Sequence, residues 1–173
     1  DEVSSDRVAG QIVAERPYQP EPRARITIAI ANLPAQALEL VISRCTEAGA
    51  HAIVVFQADR SVARGSKPER WSTIAREAAM LAGRLRVPEV SHAPSLEAAL
   101  ERVVHPVLMD RGAPRLLSAV TRPLDLTLVI GPEGGWTGRE AALVVVHAGL
   151  GPRNLRADTA ALVALSVALA LRE

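Results

Sequence analysis

Residues 126–142, LTLVIGPEGGWTGREAA, carry the pattern that decides the fold of this chain. The five apolar residues 126–130 are too few for a helix and are typical of a buried strand. Thr137 and Glu140 have the spacing of a capping box, which predicts that a helix begins near Gly138. The intervening glycines therefore lie at the carboxyl end of a strand, where open α/β sheets bind their ligands.

The glycines of this stretch favour a ligand that approaches the backbone closely. Gly131, Gly134 and Gly135 have no Cβ atom, so the chain can turn tightly and pack against a flat molecule. A strand-to-helix turn without a ligand is the alternative. The stretch has neither the Gly-Lys-Ser/Thr of a phosphate loop nor the glycine spacing of a dinucleotide fold, so a different ligand is expected.

The composition is that of a globular protein with one main domain. The chain has 173 residues, 49% of them apolar and 23% charged, and its net charge of +1 does not by itself indicate a nucleic-acid partner. The single cysteine, Cys45, excludes an internal disulfide bond and predicts a small core residue in a reducing compartment. The four histidines have no metal-ligand spacing, so no metal is expected. Residues 159–171, the most apolar stretch, are too few to cross a bilayer, and we expect a cytoplasmic protein.

The chain divides into a short N-terminal segment and a regular domain. In residues 1–25, the pattern predicts one strand over 8–14 and then a proline-rich linker, RPYQPEPRAR. A lone strand is not stable, so we interpret it as the remnant of a preceding domain. Residues 26–173 alternate strands with helices, which predicts an α/β fold with a mainly parallel sheet and helices on both faces. The predicted strands are 26–31, 52–56, 106–109 and 126–130, and the predicted helices include one from Ser95 to about 104 and one from Gly138 to about 149.

The last helix is apolar on nearly all sides. Ser166 is its only polar residue after Thr159, over residues 159–171. Such a helix is buried all round, and a small domain rarely buries a terminal helix completely. We expect a partner subunit to cover the remaining face, the alternative being a central core helix.

A second motif, GLGPRNLRADTAALVAL at residues 149–165, follows the first. The two motifs together identify a family far more specifically than either one alone. Together they resemble the RsmE family of ribosomal RNA uridine N3-methyltransferases in the SPOUT superfamily. Residues 42–62 and 70–90 are also similar to that family, and the resemblance extends from Arg7 to the end. It implies a C-terminal trefoil knot, S-adenosylmethionine bound in the knotted loops of an obligate homodimer, and small-subunit ribosomal RNA as the substrate. Residues 1–25 would then be the last strand of an N-terminal PUA-like domain plus a linker.

The resemblance assigns roles to individual residues. Arg60 and Arg84 match family positions and are the candidate RNA contacts, whereas Arg156 and Glu133 are candidate catalytic residues on the chemical grounds given below. The candidate cofactor-binding residues are Leu108, Met109, Gly131, Pro132, Glu133, Gly134, Gly135, Leu150, Gly151, Arg153, Leu155, Arg156, Thr159 and Ala160. The chain departs from the family pattern at Met80, Leu81 and Asp158, and has Asn32 and Leu33 where the family has a lysine.

Uridine N3 carries a proton, so methylation at this atom requires a site that favours the anion. Arg156 can supply positive charge through its planar fork, or can instead bridge Asp158 and order the loop. Glu133 can remove the proton, or can instead accept local backbone hydrogens. Residues 60–86 contain seven basic and two acidic side chains, which fit either an RNA surface or a solvated helix face. A SPOUT enzyme acting on transfer RNA or on a ribose hydroxyl, and a non-catalytic dimeric nucleotide-binding module, are the competing hypotheses.

Overall fold

The computed structural model describes residues 2–3, 8–15, 17–120 and 123–172, and its centre is a six-stranded parallel sheet. The strands of the chain are β1 (Glu2–Val3), β2 (Val8–Ala9), β3 (Arg25–Ala31), β4 (Ala52–Phe56), β5 (Glu89–Ala93), β6 (Pro106–Met109), β7 (Asp125–Ile130) and β8 (Val146–Ala148). The sheet has the order β5-β4-β3-β7-β6-β8, and each neighbouring pair runs parallel. The predicted parallel sheet is confirmed.

Helices cover both faces of this sheet, as the sequence predicts. They are α1 (Ala35–Glu47), α2 (Pro68–Leu81), α3 (Leu96–Leu100), α4 (Gly138–Ala141) and α5 (Ala157–Ala170), with a 3₁₀ turn at Leu117–Ala119. Because side chains alternate along a strand, Ile28 and Ile30 of β3 pack in the core that holds α1, α2 and α5. Ala29 and Ala31 pack in a second core with α3 on the opposite face.

The single cysteine lies in the first of these cores. Cys45 is fully buried in α1, and burial raises the pKa of its thiol to about 12. The thiol therefore stays protonated at neutral pH and is a poor nucleophile. The prediction of a small core residue is confirmed.

The N-terminal segment differs from the expected single strand over residues 8–14. Only Val8–Ala9 is a strand, and it pairs antiparallel with Glu2–Val3 outside the main sheet. Residues 10–15 have no regular structure and lead into the proline-rich linker. The interpretation as part of a preceding domain stays a prediction.

The predicted helix from Gly138 to about 149 is wrong in its length. The helix ends at Ala141, and Val146–Ala148 instead forms the edge strand β8, paired with β6. The β-branched residues 144–146 favour a strand, and backbone pairing of residues 146–148 with β6 overrides the helical pattern. Strand β5 was not expected, and α3 ends at Leu100 although Ser95 caps it as predicted.

The last helix is buried on one face only, not on every side. Ala161, Ala164, Leu165 and Ala168 are buried against the sheet and α1. On the opposite side, Thr159, Ser166 and Ala170 are exposed, and Leu162 and Val163 are half-buried. Because α5 is apolar on nearly all sides, its outer face carries small and apolar side chains that the described part of this chain does not cover.

Candidate functional site

A cavity of about 840 Å³ opens at the carboxyl ends of β7, β6 and β8. The last residues of these three neighbouring strands, Ile130, Met109 and Ala148, all line it. Two loops complete the wall, residues 131–137 after β7 and residues 149–156 after β8. The two motifs that the sequence singles out therefore meet at one cavity, as the resemblance implies.

The first loop is a tight turn held by its own backbone. The N–H group of Gly135 donates to the carbonyl of Pro132 at 2.9 Å, which places Glu133 and Gly134 at the corner. Gly135 has a φ of +72°, a conformation that favours glycine. The predicted capping box follows: the Thr137 hydroxyl accepts from the Glu140 N–H at 3.2 Å, and the Glu140 carboxylate accepts from the Thr137 N–H at 3.1 Å.

Two of the glycines make room for protein side chains. A Cβ atom on Gly131 would lie 2.8 Å from the indole of Trp136, and one on Gly134 would lie 3.1 Å from the Cβ of Arg60. The Trp136 ring in turn stacks on Phe56, with ring centroids 6.3 Å apart, and its Nε1 donates to the Met109 carbonyl at 3.0 Å. Both glycines also line the cavity, and the expectation that they let the backbone meet the ligand stays a prediction.

The second loop is tied to the segment that follows β6. Gly149 donates to the Arg115 carbonyl at 2.8 Å and accepts from the Leu117 N–H at 2.9 Å. Gly151 has a φ of +96°, so a side chain at this position would strain the backbone. The loop ends at Arg156, after which α5 begins and adds Ala157 and Ala160 to the wall.

The structure places all but two of the predicted cofactor-binding residues on this cavity. Leu108 is fully buried in the second core, because the alternation along β6 turns it away when Met109 faces the cavity. Thr159 is exposed and does not line the cavity, since Ala157 and Ala160 occupy the facing side of the helix. The predicted residues that line it are Met109, Gly131, Pro132, Glu133, Gly134, Gly135, Leu150, Gly151, Arg153, Leu155, Arg156 and Ala160.

Charged side chains of both signs face the same cavity. Asp110 and Arg111 follow β6, and the former accepts from the Gly112 N–H at 2.9 Å, with its other oxygen 3.9 Å from Nδ1 of His147. Arg156 is exposed and makes no side-chain hydrogen bond or ion pair with the residues that the structure describes. Asp158 instead accepts from the N–H of its neighbour Thr159 at 2.7 Å. The alternative of an Arg156–Asp158 bridge is therefore wrong.

Sequence reasoning missed several residues of the wall. Asp110 directly follows a predicted strand, at the edge where ligands bind, and its position was a usable signal. Ala157 lies one helical turn before Ala161 and was detectable from the helical period. Trp136 gave no local signal, because its role depends on its contacts with Phe56 and Met109 in other strands.

The two candidate RNA contacts lie in different surroundings. The Arg60 guanidinium is exposed, and its Nη1 donates to the carbonyls of Gly134 at 3.0 Å and Trp136 at 3.3 Å. The Arg84 side chain is only 5% exposed and pairs with Glu21 at 2.6 Å. Arg84 also donates to two carbonyls at the end of α1, so its donors are occupied inside the protein. Arg84 is therefore a structural residue, and its assignment as an RNA contact is corrected.

The loop after β4 is joined to the cavity loop by further polar contacts. The Glu140 side chain is 1% exposed and accepts from the Asp59 N–H at 2.9 Å. Asp59 accepts from Arg139 at 2.7 Å and from the Thr137 hydroxyl at 2.9 Å. These two hydrogen bonds and the neighbouring positive charges lower the pKa of Asp59.

Within the described ranges, no helix is long and apolar enough to cross a membrane, and no three His, Cys, Asp or Glu side chains form a metal-binding group.

Known proteins resemble this chain in both sequence and structure. It is 36% identical over 186 residues to the ribosomal RNA small subunit methyltransferase E of Bacillus subtilis, a match that covers 95% of this chain and 73% of that protein. The Synechocystis protein of the same name is 34% identical over 178 residues, covering 94% of this chain and 58% of that protein. The Neisseria gonorrhoeae protein of that name, solved with S-adenosylmethionine bound, has a TM-score of 0.76 at 25% identity, covering 84% of this chain and 65% of that chain.

These likenesses confirm the resemblance that the paired motifs indicate, together with the SPOUT-type α/β fold. The trefoil knot stays a prediction. A family model described as an RNA methyltransferase domain matches residues 19–169, nearly the whole chain. The chain belongs to this RNA methyltransferase family.

Proposed function

We propose that this chain transfers the methyl group of S-adenosylmethionine to N3 of a uridine in small-subunit ribosomal RNA. The observation that carries the proposal is the single cavity between the two motif loops, with Arg156 exposed on its wall. The names of the Bacillus and Synechocystis relatives support the RNA substrate, and the cofactor bound in the Neisseria structure supports S-adenosylmethionine.

The residues of the cavity fit this cofactor. A volume of about 840 Å³ lies within the range of small-molecule sites. Met109, Leu150 and Ala160 offer apolar surface for an adenine ring, and Asp110 and Arg153 offer opposite charges for the amino and carboxylate groups of the methionine part. We propose these residues, with the backbone of the two loops, as the cofactor site.

The chemistry required of the protein is alignment and proton removal. S-adenosylmethionine, when bound, supplies a methyl carbon that is already electrophilic. The chain must therefore hold the uracil N3 in line and favour its deprotonated form. We assign the stabilisation of the developing anion to Arg156, whose donors the described residues leave available. Glu133, exposed at the corner of the turn and without a side-chain hydrogen bond to the described residues, is the candidate base.

We assign the RNA contact to the basic surface of α2 and its N-terminal end. Lys67 and Arg76 are exposed there, and Arg70 is held in an ion pair with Glu39 at 2.9 Å. Exposed cations of this kind supply a sequence-independent attraction for phosphates. Because Arg84 is buried and paired with Glu21, this basic surface is smaller than the sequence indicates.

We further propose that the active form is a homodimer, in which the uncovered face of α5 packs against a second copy. The half-buried Leu162 and Val163 on this face leave apolar area in water, at a cost of about 25 cal/mol per Å². Light scattering at micromolar concentration should give twice the chain mass of 18.4 kDa. A monomer at that concentration would contradict the proposal. A cytoplasmic location stays an expectation.

Methyl transfer from labelled S-adenosylmethionine to small ribosomal subunits that lack the modification tests the function. We expect label in 3-methyluridine after complete digestion of the RNA. Label in another base or on a ribose would identify a different RNA methyltransferase. Cofactor binding without transfer would favour the non-catalytic module.

A further inference from the structure

The loop after β4, residues 57–67, reaches across to the turn that forms the cavity. One nitrogen of the Arg60 guanidinium, Nη1, donates to the carbonyls on either side of Gly135, at 3.0 Å to Gly134 and 3.3 Å to Trp136. The aliphatic part of the same side chain packs on the turn, because a Cβ atom on Gly134 would lie 3.1 Å from its Cβ. Arg60 thus contacts the turn through both its charged end and its stem.

The base of this loop is fixed independently of Arg60. The buried Glu140 carboxylate accepts from the Asp59 N–H, and the Asp59 carboxylate accepts from the Thr137 hydroxyl and from Arg139. The residue before Arg60 is therefore anchored to the end of the same turn. Asn32, 4% exposed, holds the far part of the loop by donating to the Gly65 carbonyl at 2.9 Å.

The contacts of Arg60 add to the hydrogen bonds that hold the turn. The Gly135 N–H is satisfied by the Pro132 carbonyl, and the Thr137 N–H by Glu140. The Gly134 and Trp136 carbonyls are satisfied by Arg60. A loop that is already held in its binding conformation loses less conformational entropy when the ligand arrives, and this raises affinity.

We propose that Arg60 is a positioning residue of the cofactor site, which holds the turn of residues 132–136 in its binding conformation, and that it does not act as an RNA phosphate contact. The inference rests on the proposed function for the identity of the ligand, S-adenosylmethionine. The effect of Arg60 on the conformation of the turn does not depend on which ligand binds.

Calorimetry with S-adenosylmethionine and amide exchange of the ligand-free protein test this role together. Arg60→Ala should weaken cofactor affinity about tenfold and raise KM for the cofactor, with kcat at saturating cofactor near that of the parent. The Gly135 amide should exchange faster without ligand. Arg60→Lys should restore part of both effects, because its ammonium can donate to a carbonyl but lies closer to the backbone than Nη1 of Arg60.

Arg23→Ala is the matched control, because Arg23 is exposed, carries the same charge and makes no side-chain hydrogen bond or ion pair with the described residues. It should leave affinity and exchange unchanged. Parent-like exchange and cofactor affinity in Arg60→Ala would overturn the inference. Unchanged cofactor binding together with a lower RNA affinity that depends less on salt would also overturn it, because that result is expected of a phosphate contact. A parent protein that fails to bind S-adenosylmethionine would overturn the proposed function, while the exchange of Gly135 in Arg60→Ala would still decide the positioning role.

Discussion

Arg156 is the residue on which the proposed chemistry depends most. It lies at the N-terminal end of α5, where its backbone is extended, with φ −64° and ψ 156°, and its side chain lines the cavity. Asp158 accepts from the N–H of its neighbour Thr159, and no ion pair joins it to Arg156 among the described residues. A charge held this way can meet the oxygens of a uridine ring without first breaking an ion pair.

We expect Arg156→Ala to lower the single-turnover methylation rate by about 10²–10³-fold, as for other preorganised electrostatic groups. Cofactor affinity should change much less, and Arg156→Lys should recover part of the rate. Raising the pH should narrow the gap to the parent, because uridine ionises without help near its own pKa. Rates at saturating cofactor across pH measure this, with Glu133→Gln as the parallel test of the base. A parent-like rate with weaker cofactor binding would make Arg156 a structural loop residue.

At the scale of elements, the site depends on how the turn after β7 packs against β4 and β6. Trp136 joins the three, because it stacks on Phe56, donates to the Met109 carbonyl and covers Gly131. The indole is close enough to the backbone at Gly131 that no Cβ atom fits between them. Trp136 therefore sets the shape of the cavity wall, and it can pack there because Gly131 has no side chain.

We expect Gly131→Ala to displace the Trp136 indole and to destabilise the protein by about 1–3 kcal/mol, the usual cost of overpacking. Gly138→Ala is the matched control, because a Cβ atom there meets nothing within 4 Å. Thermal unfolding and tryptophan fluorescence would show both effects. Equal stability and equal emission for the two variants would mean that the turn moves aside at little cost.

At the scale of the whole molecule, one ion pair fastens the N-terminal linker to the domain. Glu21 in the linker pairs with Arg84 at 2.6 Å, and also accepts from the backbone N–H groups of Leu85 and Arg86. Burial alone would raise the pKa of Glu21, but the hydrogen bonds and charge of Arg84, with the two backbone donors, outweigh it and lower the pKa below 4.5. The linker is thus held by a charge that must stay ionised.

We expect Glu21→Gln to destabilise the protein at neutral pH by up to about 3 kcal/mol, because it leaves the buried Arg84 without its counter-charge. A lowered folded-state pKa means that this stability is present above pH 4.5 and is lost as the pH falls through the folded value. The difference in unfolding free energy between parent and variant should therefore shrink in acid. Denaturant unfolding at neutral pH and at acid pH measures it, and a difference that does not change with pH would exclude Glu21 as the titrating group.

The features of this protein that depend on local chemistry could be predicted from its residues. The alternating strands and helices, the capping box at Thr137 and the place of the first glycine loop at the carboxyl end of a strand follow from patterns within a few residues. The resemblance of the paired motifs, not a local pattern, predicted that the second loop shares this site. Parallel strands put their carboxyl ends at the same edge, so the site could be located without coordinates. The burial of Cys45 followed from helical spacing in the same way.

Only the tertiary structure decided which partner each side chain meets. Arg60 and Gly134 are 74 residues apart in the chain, and Arg84 and Glu21 are 63 apart, so no local pattern distinguishes a positioning or buried arginine from an exposed one. The edge strand β8 likewise exists because β6 offers it a ladder, against a helical pattern in the sequence. Local sequence sets the conformation of the backbone, whereas the contacts of a side chain depend on which distant segments the folded chain brings beside it.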